Sequence, residues 1–545
     1  MIHFGRSSII SGLFSFLIFK IDCMTSKEKQ VSVSRMIILF LVLLNIITIN
    51  AGYTASGKWY WALIVTLPLL LLAILNVTQK KHAVLRNFPL IGYVRYFLES
   101  IRQEIRQYFF ESDLDGKPFN RRQRSIVYQR AKNEKQTVAF GMQSDPNAVG
   151  SEWAAHSVYP ISLGADDLRV WIGNHLCQQP YHASIYNIGA MSYGALSKTA
   201  IEALNRGAKL GGFAHNTGEG GISEYHLKGG DLIWQIGTGY FGCRDEKGKF
   251  HALAFRKNAI RPEVKMIELK LSQGAKPGHG GILPASKNTV EIAAIRKVTA
   301  GTTIYSPASH SAFNSPEGLA QFLQLLRELS GGKPVGFKIC IGDKQEFIDI
   351  CRAIKSTGHI PDFITIDGAE GGTGAAPLEF TDHLGMPLRE ALPFVKQILG
   401  ELGLSNEIRI LAAGKIITGF DILKTLSLGA AACYTARGMM FAIGCIQALI
   451  CDSGKCPVGV ATQNPALYKG LDPTDKAVRV FNFHLNTIQA TREMMEACGF
   501  PDTKSINPSK FFRRTEDQTT KSFEEIYFKR KKERMEQNKI KSLLN

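Results

Sequence analysis

The sequence predicts an α/β chain, a (β/α)8 TIM barrel preceded by two transmembrane helices. Three observations predict it. Two long uncharged apolar runs stand near the amino end, short β-rich runs alternate with helical stretches from about residue 184, and glycine-rich loops follow several of those runs. Parallel strands buried on both faces read as unbroken apolar runs, and barrels build their sites from loops at the carboxyl ends of strands.

The apolar runs come first in the chain. Residues 36–53 (MIILFLVLLNIITINAGY) and 59–78 (WYWALIVTLPLLLLAILNVT) carry no charge, and each approaches the roughly 20 residues a helix needs to cross a bilayer. The short link TASGK makes them a hairpin with both ends on one side. Lys27, Lys29 and Arg35 precede it and Lys80, Lys81 and Arg86 follow it. Positive-inside then places the chain in the inner (cytoplasmic) membrane with its catalytic barrel facing the cytoplasm. Upstream, 7–19 is a shorter apolar stretch with three readings: a signal-like segment, a third membrane contact, or untranslated sequence ahead of a start at Met24. The last is preferred.

The expected organisation is an N-terminal segment over 1–35, the hairpin over 36–78, a basic connector over 79–150, the barrel over 151–480 and a basic helical tail over 481–545. Within the connector, 86–110 has roughly helical apolar spacing and many basic residues, as a helix lying at the membrane surface has. A chain of 545 residues with 45% hydrophobic and 21% charged content has room for one large domain and appendages. Its formal charge of +18 gathers in 80–130 and in the tail 529–532 (KRKK). Neither stretch has a zinc-finger, RNP or helix-turn-helix pattern, so the partner is expected to be anionic lipid and not nucleic acid. The ten cysteines lack the framework of a small secreted domain, which favours a reducing compartment.

Candidate strands are 184–188, 213–215, 233–236, 266–270, 303–305, 335–339, 363–366, 408–412 and 432–435. The competitor, a doubly wound sheet, lacks GxGxxG after its first strand. Residues 189–194 (GAMSYG) open a helix capped by Ser197, and their small side chains let backbone N–H groups approach a flat ring. Residues 211–221 (GGFAHNTGEGG) set Glu219 among five glycines, a candidate for proton transfer or substrate binding. In 270–284 (KLSQGAKPGHGGILP), Lys270 and Lys276 with Gln273 between them suit a dicarboxylate. Lys338 ends an apolar strand, where a charge needs a partner. The loops 367–374 (DGAEGGTG), 413–419 (AGKIITG) and 435–438 (TARG) follow strands six to eight; barrels commonly bind phosphate after strands seven and eight, where Lys415 and Arg437 add charge. Finally, Cys445, Cys451 and Cys456 read C-x5-C-x4-C-P, a spacing open to an iron–sulfur centre, a zinc site or plain buried thiols.

Taken together, GAMSYGALSKTAIEAL, NTGEGG, KLSQGAKPGHGG, DGAEGGTGAAP and GCIQALICDSGKCPVGVATQNP resemble the FMN-binding synthase domain of glutamate synthase, in the same order, over roughly 150–480. The resemblance implies FMN at the barrel mouth. Its cofactor contacts fall on Ala190, Met191, Ser192, Thr217, Lys338, Gly371, Gly372, Gly414, Lys415, Arg437 and Gly438. It further implies a [3Fe–4S] cluster on Cys445, Cys451 and Cys456, and reductive amination of 2-oxoglutarate or a similar keto acid by ammonia. Lys270, Lys276 and Arg296 match keto-acid contacts, Glu219 the active-site glutamate, and Lys338 the lysine near the flavin ring; Gln273 joins the substrate set.

There are departures. His279 and Ile282 replace a glutamate and a glutamine of the family loop, Lys415 replaces a glycine, and Ala436–Arg437 replace Gly–Thr. No glutaminase domain and no NAD(P)H fingerprint are evident, so ammonia is expected from solution or a partner, and electrons from an external donor protein or a membrane carrier. Two other readings compete: an oxidoreductase for a different amino acid or a methylated amine, and a membrane-tethered sensor without catalysis.

Overall fold

The computed structural model describes residues 32–134, 136–164 and 168–529 and divides into two units after Glu111. That boundary splits the connector expected over 79–150. The stretch 7–19, Met24 and most of the basic tail lie outside the described residues.

In the first unit, helix α1 (Val33–Thr54) and helix α2 (Leu63–Thr78) are joined by a 3-10 turn, Gly57–Ala62. The two segments, Val33–Thr54 and Gly57–Thr78, are each 22 residues long and apolar enough to cross a membrane. A core helix of a soluble protein is mostly buried, whereas these are 22% and 11% buried. Leu39, Phe40, Leu43, Ile64, Val65 and Leu75 are each more than half exposed. The polar groups turn inward instead. Asn45 Nδ2 donates to the Thr66 carbonyl at 3.3 Å, and Thr66 Oγ1 donates to Asn45 Oδ1 at 2.9 Å, which locks the pair in register.

Residues 86–110 do not form the single helix expected. They break into Ala83–Asn87, Gly92–Ser100, Arg102–Ile105 and a π-helical turn, Arg106–Phe110. Pro89 is the cause: it drives Phe88 out of helical geometry, and Leu90 follows in the left-handed region at φ 66°.

The second unit holds a closed barrel of eight parallel strands: β1 (Tyr186–Ile188), β2 (His215–Asn216), β3 (Leu232–Ile236), β4 (Val264–Lys270), β5 (Val335–Ile339), β6 (Phe363–Asp367), β7 (Arg409–Ala413) and β8 (Ala432–Thr435). Each strand pairs with its sequence neighbours, and β8 closes on β1. The candidate strand at 303–305 is not among them. Ile304–Tyr305 pairs antiparallel with Ile282–Leu283 in a small hairpin outside the barrel.

An antiparallel hairpin, Arg169–Ile172 with Tyr181–Ser184, plugs the amino end of the barrel. Its Ile172, Tyr181 and Ala183 pack on Ile233, Met266, Phe363 and Leu411. The next inward layer is polar and closed on itself: Glu268 accepts from Asn216 Nδ2 (2.7 Å), Gln235 Nε2 (2.7 Å) and Thr365 Oγ1 (2.6 Å). Above it, at the carboxyl end, stand Lys270, Lys338 and Asp367. Gly336 on β5 makes room for this stacking, since a Cβ there would lie 2.2 Å from the Phe363 carbonyl oxygen.

Around the barrel, helix α3 (Arg121–Ala131) begins with a capping box between Asn120 and Gln123. Helix α4 (Lys198–Gly211) is capped by Ser197, as its sequence predicts. Helix α5 (Leu378–His383) follows β6, helix α6 (Arg437–Ala442) follows β8, and helix α7 (Pro473–Cys498) lays Val480 against Gly207 of α4.

Candidate active site

Strand register puts the chemistry together. Lys338 of β5 pairs with Lys270 of β4, so both side chains enter the barrel mouth at one level. Each is nearly buried, at 8% exposure, and each finds its own carboxylate. Lys270 Nζ lies 3.0 Å from Glu219 Oε1, and Lys338 Nζ lies 3.1 Å from Asp367 Oδ2. Asp367 is held in turn by the Gly274 N–H at 3.0 Å. Burial opposes charge on Lys338, but Asp367 and then Glu268 outweigh it and raise its pKa above the ordinary lysine value.

Glu219 is the centre of a cationic cluster. Burial alone would lift its carboxyl; Lys270, Lys276 and Arg296 reverse that and hold it below the usual carboxylate range. Lys276 and Arg296 are themselves buried. Burial lowers the Lys276 pKa, with repulsion from Lys270 adding to it, and pushes Arg296 down to about 10. Among the described residues neither forms an ion pair. Arg296 donates to the Tyr193 carbonyl at 3.1 Å and lies 5.0 Å from the Phe241 ring centre, while its Nε has no partner. Three cations therefore surround one carboxylate in a place shielded from water, and a buried excess of positive charge is stable only opposite an anion.

The cleft beside this cluster is lined by Glu219, Lys270, Gln273, Thr238, His279 and Pro307. His279 bonds the Gly280 carbonyl at 2.7 Å and meets Phe380 of α5 edge-on, with ring centres 5.5 Å apart. Ile282 sits on the outer hairpin, paired with Tyr305.

The loops after β1 and β2 form one flat wall. Met191 N–H donates to the Asn216 carbonyl (3.2 Å) and Thr217 N–H to the Ile233 carbonyl (3.0 Å). Ser192, after Ala190 and Met191, crosses Gly218, where a Cβ would lie 2.8 Å from the Ser192 nitrogen. On the other side of β1 around the ring, Gly371 and Gly372 follow β6, Gly414 and Lys415 follow β7, and Arg437 and Gly438 follow β8. Lys415 adopts φ 52°, a left-handed position where glycine is the easier choice. Arg437 donates to the Glu370 carbonyl, and a Cβ on Gly372 would lie 2.9 Å from its side chain. Burial lowers both cations, Arg437 to about 10, and Arg437 further lowers Lys415. Among the described residues neither has an ion pair. Two half-buried cations without an ion pair, beside glycine loops, fit a phosphate.

Cys445 and Cys451 are half-buried and Cys456 is buried. Burial pushes Cys445 up to about 12, and Cys451 and Cys456 add to the shift. No group of three or more His, Cys, Asp or Glu side chains among the described residues is arranged to hold a metal ion.

Sequence reasoning missed three participants. Glu268, the barrel-floor carboxylate, had a signal: an acidic residue inside the apolar run MIELK. His310 and Tyr240 had none. His310 Nε2–H donates to the Lys270 carbonyl at 2.9 Å while its Nδ1 accepts from Tyr240 O–H at 3.0 Å. Burial pushes this imidazole down to about 4, so it stays neutral and fixes the end of β4.

A parallel barrel with buried, partnered lysines and a cationic rim on its carboxyl face is the architecture of an enzyme. The model of the conserved region in glutamate synthase matches residues 161–501. A glutamate synthase large subunit-like protein, YerD, of Bacillus subtilis is 37% identical over 499 residues, covering 83% of this chain and 94% of its own. An archaeal glutamate synthase [NADPH] of Methanocaldococcus jannaschii is 38% identical over 321 residues, 58% of this chain and 60% of its own. A solved flavocytochrome b2 variant with sulfite bound gives a TM-score of 0.40 at 14% identity, over 77% of this chain and 85% of that one. The chain belongs to the glutamate synthase family, a family of oxidoreductases.

Proposed function

We propose that the chain carries out FMN-dependent reductive amination of 2-oxoglutarate to glutamate, with ammonia from solution or a partner and electrons from an external donor protein or membrane carrier. One observation carries the reading: Glu219 stays ionised among Lys270, Lys276 and Arg296, a pocket whose excess positive charge suits a dicarboxylate. FMN, when bound, supplies the electron pair. The loops after β1, β2, β6, β7 and β8 would hold it, Lys415 and Arg437 would take its phosphate, and Lys338 would stay protonated at the barrel mouth.

The remaining steps fall to the chain's own groups. Lys276, Arg296 and Gln273 orient the keto acid, and Lys270 polarises its carbonyl. Glu219 accepts an N–H of ammonia and takes up its proton as nitrogen bonds carbon. The keto oxygen leaves as water, and the imine gains two electrons and two protons, one on carbon and one on nitrogen, to become glutamate.

Cys445, Cys451 and Cys456 are proposed as ligands of a [3Fe–4S] cluster. Their spacing in the sequence supports it, and no step is routed through it. The apolar hairpin is proposed to anchor the chain in the cytoplasmic membrane, with the barrel of 151–480 on the cytoplasmic side. Its outward-facing leucines and isoleucines support that reading.

The test is glutamate formation by detergent-solubilised, FMN-loaded protein given 2-oxoglutarate, ammonia and a chemical reductant. Absence of glutamate from flavin-loaded protein overturns the reading. One observation favours a second substrate class, another amino acid or a methylated amine: His279 lines the cleft where the family carries a glutamate. Turnover of such an amine with none of 2-oxoglutarate selects it.

A further inference from the structure

Phe119 lies outside the family-matched range 161–501, yet its ring is part of the cationic rim. It is 1% exposed. The Arg437 guanidinium stands 4.8 Å from its centre and the Lys415 ammonium 5.9 Å. One aromatic ring thus lies beside two like charges that burial disfavours, with Arg437 repelling Lys415. A ring quadrupole attracts both cations, and its bulk keeps water from their rear sides.

Phe119 is held by Gln447 at its backbone and by Phe441 at its ring. Phe119 N–H donates to Gln447 Oε1 at 3.1 Å, and Gln447 Nε2 returns a bond to the Phe119 carbonyl at 3.0 Å. Phe441 of α6 meets it edge-on at 5.2 Å. On the same segment, Tyr128 of α3 donates to the Cys445 carbonyl at 2.7 Å. These bonds tie Phe119 to the loop between Cys445 and Cys451, so the wall behind the cations is set before any ligand arrives.

We infer that Phe119 is a positioning residue for the phosphate of FMN: it holds Lys415 and Arg437 side by side and sets the preference for FMN over flavin without phosphate. This rests on the FMN reading above. A ligand lacking phosphate makes no use of the two cations, so riboflavin binding is indifferent to the ring.

The experiment uses the full detergent-solubilised chain stripped of flavin, titrated with FMN and with riboflavin by flavin fluorescence. Phe119→Ala weakens FMN binding on the order of tenfold and leaves riboflavin binding within about twofold, because the cation–ring contacts act only through the phosphate. Phe119→Leu, which keeps apolar bulk and removes the ring, gives a smaller loss of the same selective kind, and Phe119→Tyr retains FMN binding. Equal loss for both flavins in Ala and Leu variants marks a merely structural role and overturns the inference. So does unchanged FMN binding in both while wild type binds FMN. Wild type that binds riboflavin but gains nothing from the phosphate overturns it as well, and wild type that binds neither flavin overturns the cofactor reading beneath it.

Discussion

Lys270 and Lys338 are register partners on adjacent barrel strands, and each ammonium keeps a separate carboxylate, Glu219 at 3.0 Å and Asp367 at 3.1 Å. Two like charges at one level of a barrel mouth repel unless each is compensated. The pairing divides the mouth into a Glu219 side with spare positive charge and an Asp367 side in balance.

Asp367→Asn leaves Lys338 buried without its counter-charge and lowers stability by about 3–5 kcal/mol, measured by urea unfolding at neutral pH. The folded-state pKa of Lys338 is raised, so the pair's contribution is complete below the ordinary lysine value of about 10.4 and is lost as pH climbs past it. The gap between wild type and variant therefore narrows in strong alkali. A gap that stays constant through that alkaline range contradicts the assignment.

Four histidines are buried and held neutral: His226 and His310 at about 4, His484 at about 3, and His215 well below its usual value, all chiefly by burial. Their unfolded-state pKa is about 6.5. The unfolded chain therefore binds more protons beneath that point, and stability falls as pH drops from about 6.5 toward 4. Each histidine contributes up to about 1.4 kcal/mol per pH unit. His484→Phe, a ring that can still stack on Phe213, reduces the slope of unfolding free energy against pH by one such step. An unaltered slope shows that His484 is already charged or exposed.

The hairpin's inward polar lock predicts a modest effect. Asn45→Leu removes both bonds to Thr66 and costs about 0.6–1.7 kcal/mol, while membrane fractionation is unchanged. Deleting 33–78 moves the protein to the soluble fraction. Retention in the membrane after that deletion removes the hairpin as the anchor.

Cys451→Ser separates the two proposed cofactors. The variant loses iron and the broad absorption of the cluster but keeps the flavin bands. Iron content equal to wild type, by metal analysis, rules the thiol out as a ligand.

Much of the fold was legible because it rests on local signals. Unbroken apolar strands, the Ser197 cap and glycine loops at strand ends gave the barrel and its active face, and all eight of its strands were located to within two residues. The strand at β2 was placed two residues early because only His215 and Asn216 pair there, too little backbone to leave a pattern. The break at Pro89 was readable, yet apolar periodicity across 86–110 masked it. At the site, Lys270, Lys276, Glu219 and Lys338 stood out as charges in glycine-rich or apolar company. Asp367 as the Lys338 partner, His310 behind Lys270 and Phe119 behind Arg437 depend on contacts across 29, 40 and more than 300 residues, and no local pattern encodes those.

The central claim is that the buried excess of positive charge around Glu219 selects a dianion. Titrating FMN-loaded, oxidised protein with 2-oxoglutarate and with its monocarboxylate analogue 2-oxobutyrate, followed by calorimetry, tests it without turnover. The dicarboxylate binds at least about tenfold more tightly, and Arg296→Met together with Lys276→Met narrows that ratio toward one. Equal affinity of the wild-type protein for the two acids contradicts the account.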